Sequence, residues 1–268
     1  MAELIIDNSN YQQFTSPDGQ IEFDGHIRLL NAQRRSVPTS ELDGVRSASP
    51  DFVIPRDRWD DIIAEKDENN SWVIDVIGDR PPCKDQNGLG YCHAYAYVAA
   101  QECKLLCQGH EYTHLSAESI GGPITGWRNR GAMPEDDLIQ GLKYGACPQS
   151  MMDKRWSLSP SRWDDTWEQE RLNYRTIEFI DLEVRGYTWD MQVTSAFLNI
   201  PFFSGHAWWG HAVAGGYKVK KVDTDEYAIM WRNSWGASYG ENGYFWMTKS
   251  KGTADLDCFG ILQGIAYK

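Results

Sequence analysis

Asn233-Ser234-Trp235-Gly236 decides the reading of this chain because of what precedes it. A cysteine lies in Gln86-Asn87-Gly88-Leu89-Gly90-Tyr91-Cys92-His93-Ala94-Tyr95, and a histidine in Gly210-His211-Ala212-Val213. A thiol, then an imidazole, then a carboxamide supply a nucleophile, a proton carrier and a group to orient the carrier. The thiolate attacks, not the neutral thiol. The pattern Ala94, Tyr95, Val98, Ala99, Leu105, Leu106 predicts a helix that opens at Cys92 and ends at Gly109. Cys92 then meets the oriented N–H groups of a helix start, and His211 completes an ion pair. On this reading Asn233 accepts the other ring N–H of His211, and Trp235 shields that bond from water. The side-chain amide of Gln86 and the backbone N–H of Cys92 face the oxyanion.

The 268 residues suffice for one large domain or two small ones, and their 41% hydrophobic content fits a globular protein. A formal charge of −12 argues against nucleic acid or an anionic membrane as partner. A solvated acidic surface is the first reading of that charge, and a cationic substrate or carrier the second. The start, Met1-Ala2-Glu3-Leu4-Ile5-Ile6-Asp7, has neither the basic region nor the apolar run of a secretory signal. With Cys92 set aside as nucleophile, five cysteines remain, an odd number that does not form a closed disulfide framework. Reduced thiols in a cytoplasmic setting are the expectation.

Residues 1–52 are polar and broken by prolines and glycines, with short extended pieces at Leu4 to Ile6 and Ile21 to Phe23. They read as an arm ahead of a domain spanning 53–268. In that domain helices are predicted after Pro55, from Cys92, from Pro134 to Tyr144, over Arg162 to Leu172 and over Asp190 to Leu198. Strands are predicted at Thr176 to Ile180, His211 to Val219, Tyr227 to Trp231 and Gly243 to Met247. Helices dominate the first half and strands the second.

The motifs resemble those of the papain-like cysteine peptidases. Gln86 to Tyr95 is similar to that family's Q-G-S-C-G-S-C-W-A-F, Gly210 to Val213 to its D-H-A-V, and Trp231 to Gly236 to its K-N-S-W-G. Gly240-Glu241-Asn242-Gly243-Tyr244 matches its G-E-N-G-Y; Leu115 to Glu118 resembles L-S-E-Q, and Asn129 to Pro134 resembles C-N-G-G-Y-P. The resemblance implies an α+β fold with a helical left lobe, a β-barrel-like right lobe and the cleft between them. It implies a peptide or protein substrate, no cofactor and no metal. The substrate backbone would lie along Gly131-Ala132, with Met133 near the pocket for the second residue before the scissile bond. Gly210 and Trp235 would line the same cleft.

Several positions depart from the family. Leu89 and Asn129 stand where it has a disulfide, and Gly210 where it has Asp. His93 replaces its Trp beside the nucleophile, either to perturb the thiolate or to pack. No long helical pro-segment precedes the domain. These features look like papain-like proteins of bacteria and bacteriophages, which implies a virion location for a phage protein. The arm reads as an autoinhibitory strap or as a tether to assembly partners. A thiol amidase or isopeptidase, or a structural protein that keeps the fold without turnover, fits the same residues.

Other residues compete for attention. His110-Glu111-Tyr112-Thr113-His114 has the form of a zinc motif, with Cys103 and Cys107 upstream. Gly109 and the loop-like Leu115-Ser116 argue against the helix it needs, so no metal is expected. His206 reads as a loop histidine. Trp208-Trp209 lines the leaving-group side of the cleft or seals the lobe junction. Trp156, Trp163 and Trp167 recur at helical spacing and read as core.

Overall fold

The computed structural model describes residues 3–79, 81–152, 158–159 and 165–266. The arm contributes β1 (Ile5–Ile6), β2 (Gln20–Phe23), β3 (His26–Leu29) and β4 (Val45–Ser47). A helical half follows: α1 (Trp59–Glu68), α2 (Val73–Ile77), α3 (Cys92–Cys107), α4 (Glu118–Thr125), α5 (Pro134–Lys143) and α6 (Asp165–Arg171). Then come β5 (Thr176–Asp181), α7 (Thr188–Phe197), β6 (Phe202–His206), β7 (His211–Asp223), β8 (Glu226–Arg232), β9 (Tyr244–Thr248) and β10 (Asp257–Gly264). Of the predicted helix at Arg162 to Leu172, residues 162–164 lie outside the described residues. So do Trp156 and Trp163; Trp167 is buried in a small cluster with Cys147 and Met152.

Helix α3 is the axis of the left lobe. Alanines at 94, 96, 99 and 100 keep it slim, and every residue from Cys92 to Cys103 is buried. A helix buried around its whole circumference belongs inside a protein: α3 packs on β6, β7 and β10, with its buried polar residues His93, Gln101 and Glu102 hydrogen-bonded.

The right lobe is an eight-stranded sheet in the order β1-β9-β8-β7-β6-β10-β5-β4. Its strands alternate between two cores, as the two-residue period of a strand requires. Phe179, Phe203, Ala212 and Ala214 join the α3 core, while Ile180, Phe202 and Val213 join the core under α7. The strands Phe202–His206 and Asp257–Gly264 escaped the sequence reading because both are buried throughout most of their length and show no polar alternation. The pairing of β7 with β8 slips between Gly215 and Val219. A side chain at Gly215 would collide with Phe202 and Trp231, so the bend there needs glycine.

Both edge strands of this sheet come from the arm. β1 pairs parallel with β9, and β4 pairs parallel with β5. The arm has little core of its own, but Ile6 and Leu30 are buried in the α7 core.

Candidate active site

Cys92 is the first residue of α3, and three backbone N–H groups converge on its sulfur, from Ala212, Asn31 and His93. The His93 N–H is the helix-start donor expected there. The Ala212 N–H brings β7 to the thiol, and His211 is the neighbouring residue in that strand. His211 Nε2 lies 2.8 Å from Asn233 Oδ1, and Nδ1 has no hydrogen-bond partner among the described residues. Asn233 is placed by its own N–H, which donates to the Gly243 carbonyl at the end of the turn before β9. Trp235 lies against the imidazole with ring centroids 5.0 Å apart, and Trp209 approaches it edge-on at 4.9 Å. Both indoles are buried, so the His211–Asn233 bond is dry. Of the two readings of the tryptophan pair, the seal fits Trp209; Trp208 stacks on it and meets Tyr11 of the arm.

Gln86 is fully buried. Its Oε1 accepts from Ser234 Oγ, and its amide nitrogen donates to the Leu89 carbonyl at 2.7 Å. A carboxamide nitrogen carries two hydrogens, so one remains for another acceptor. Asn129, which stands in place of a half-cystine, bonds the same loop: Gly90 N–H donates to its Oδ1 at 2.7 Å, and its Nδ2 donates to the Gly88 carbonyl at 3.0 Å. A pair of hydrogen bonds thus ties the Cys92 loop to the Gly131 strip. All six cysteines are free thiols.

His93 has settled as a packed, paired residue. Its Nδ1 lies 2.9 Å from both carboxylate oxygens of buried Asp137 on α5. His206 departs from expectation. It is no loop residue but the end of β6, directly opposite His211, fully buried against Trp231. The sequence hid this because β6 lacks alternation. The motif at 110–114 lies beyond the end of α3 in non-helical chain, so it cannot set two imidazoles on one helical face. Among the described residues no cluster of three or more potential ligands is arranged to hold a metal.

The arm crosses this site. Phe23 packs on Trp235 and Tyr239, and buried Arg28 pairs with Asp85. Leu30 lies against Gly210, and Ala32 N–H donates to the Gly210 carbonyl at 2.9 Å. Asn31 fills the space over Gly131 so tightly that a side chain at 131 would collide with its carbonyl. Ser36 ends the crossing with its N–H on Glu135 Oε1 at 2.8 Å. Of the inferred substrate strip, Gly131, Gly210 and Trp235 are therefore covered by residues 23–36 and Ala132 is buried, while Met133 is half-buried.

Burial sets the charge state. It pushes the Cys92 thiol up to about 11 against the helping N–H groups. It pushes His211 down to about 4; the Asn233 bond opposes this, and the Arg28 guanidinium adds to it. Both the thiol and the imidazole are therefore neutral at rest. Within the arm, Arg28 favours the neutral imidazole, while the Asn31 N–H favours the thiolate.

Comparisons with known proteins agree with this geometry. Residues 199–262 match the family model described as papain family cysteine protease. No curated protein matches the chain at a significant level. Among solved structures, xylellain, a cysteine protease from Xylella fastidiosa, has a TM-score of 0.59 at 18% identity, covering 90% of this chain and 98% of that one. Bromelain from Ananas comosus, in complex with the E64 inhibitor, has 0.57 at 15%, covering 69% and 95%. Digestive procathepsin L 3 from the larval midgut of Tenebrio molitor has 0.54 at 18%, and the chain covers 66% of its length with 68% of its own. At these identities the likeness establishes the fold: this is a papain-like α+β chain, and its right lobe carries the family's sequence pattern.

Proposed function

We propose that this chain is a cysteine-type peptidase that works through an acyl-enzyme and rests with its own arm across the cleft. The observation that carries this reading is the buried His211–Asn233 pair beside the Cys92 helix start. With the arm displaced, water and substrate reach the thiol, and the proton passes from Cys92 to His211. The thiolate then attacks the carbonyl carbon of the scissile peptide. The spare Gln86 amide hydrogen and the Cys92 N–H stabilise the oxyanion. His211 gives its proton to the leaving amine, the C–N bond breaks, and a thioester remains on Cys92. Water, deprotonated by His211, hydrolyses the thioester and restores the thiol. Asn233 holds the imidazole in the plane that serves both proton transfers.

The arm passes from Trp235 at residue 23 to Glu135 at residue 36. A substrate of the papain-like type runs the other way, from the Met133 side toward the leaving-group side. The arm therefore blocks the cleft without presenting a peptide bond in the reactive direction. The same covered cleft also favours a second reading, a structural protein that keeps the fold without turnover.

The test is peptide hydrolysis by the full chain carrying Arg28→Ala and Ser36→Ala, which remove two anchors of the crossing. Turnover that exceeds that of the unaltered chain and vanishes with Cys92→Ala supports the peptidase. No turnover from the loosened chain supports the structural reading.

A further inference from the structure

Past Asn31 the arm places two arginines where carboxylates converge. Arg35 pairs with Asp181 at the end of β5 and lies 3.3 Å from Glu183 just after it. Its guanidinium sits 5.6 Å from the Phe259 ring centroid. Asp257, the first residue of β10, lies nearby with its carboxyl held toward the neutral form by burial, and Arg34 donates to the Asp255 carbonyl. One residue further on, Ser36 donates to Oε1 of Glu135, 5% exposed, whose Oε2 has no partner among the described residues. A cavity of about 310 Å3 opens between Arg35, Thr39, Asp181 and Glu183.

The cation that balances these carboxylates belongs to the one segment that must leave for the cleft to open. A carboxylate pair at 5% and 19% side-chain exposure that loses its guanidinium keeps its desolvation cost without the compensating attraction. A second guanidinium entering from solution restores the balance. The aromatic face of Phe259 and the separate carboxylates of Asp181 and Glu183 suit a planar, forked cation better than an ammonium.

We propose that Asp181 and Glu183 form a subsite for an arginine side chain of the peptide substrate, with Arg35 as its resident stand-in. This rests on the peptidase reading above. Arg35 lies four residues from Asn31, which touches Cys92. At roughly 3.3 Å per extended residue, the substrate arginine enters about 13 Å from the scissile bond, on its N-terminal side.

The test uses full-length Arg35→Ala with two peptides that differ only in carrying Arg-Arg or Gln-Gln three to five residues before the cleaved bond. Binding is read by fluorescence anisotropy in a Cys92→Ala background, and kcat/KM with Cys92 intact. The arginine peptide should be favoured by about tenfold in both. Glu183→Gln should erase that preference while leaving the glutamine peptide unchanged. A second measurement needs no arm variant: the arginine peptide, and not its glutamine partner, should speed alkylation of Cys92 in the unaltered chain by displacing Arg35. Equal binding of the two peptides together with equal alkylation overturns the subsite. Equal turnover of both would sink the subsite and keep the peptidase; a binding preference without any turnover would do the reverse.

Discussion

At His211 burial decides chemistry. The imidazole is held down to about 4 and the Cys92 thiol up to about 11, so the resting pair is neutral. Iodoacetamide should therefore alkylate Cys92 slowly at neutral pH, and its rate should climb toward pH 11. Removing Arg28, which disfavours the imidazolium, should move that profile to lower pH. With the arm loosened, His211→Ala should lower turnover by at least about 10²-fold. His206, held down to about 3 by burial and by its His211 neighbour, has a stability consequence. The unfolded chain takes up a proton on this ring below about pH 6.5, and the folded chain does not until near 3. Its contribution thus falls as pH drops through that window, by up to about 1.4 kcal/mol per pH unit. Thermal melts should show His206→Gln gaining on the unaltered chain from pH 6.5 toward 4. The residues of the candidate site stood out in the sequence because each sits in a motif. His206 was not, because its setting is a tertiary pairing of two buried strands.

Among the elements, α3 and the arm crossing matter most. α3 was readable because its small and apolar residues recur at helical spacing and Gly109 stops it. The strip at Gly131 was placed by resemblance, but what covers it was invisible: Asn31 and Arg28 belong to a polar segment with no periodicity. The close fit gives an unusual expectation. Gly131→Ala puts a methyl group into the Asn31 carbonyl, and the arm should lift at that point. Alkylation of Cys92 should then speed up, although a wall residue has been made bulkier. Unchanged alkylation would mean that the arm does not control access. Asn129→Ala should cost about 1 kcal/mol and lower the melting temperature by loosening the Gly88–Gly90 loop.

For the molecule as a whole, the arm is structure as well as cover. It supplies both sheet edges and two buried core residues, Ile6 and Leu30. The sequence marked Leu4 to Ile6 as extended but not β4 or the docking of either strand, because parallel edge pairing of two or three residues leaves no pattern in sequence. Deleting residues 1–52 should expose two strand edges and lower solubility and melting temperature, which confounds an activity readout. Point changes within 28–36 keep both edges paired. The most direct test of the resting-peptidase account is labelling of the intact, reduced chain by an epoxysuccinyl probe, read by peptide mass mapping. Labelling should fall on Cys92, run about tenfold faster with Arg28→Ala and Ser36→Ala, and disappear with His211→Ala. A loosened chain whose Cys92 stays unlabelled, or labels equally without His211, would contradict the account.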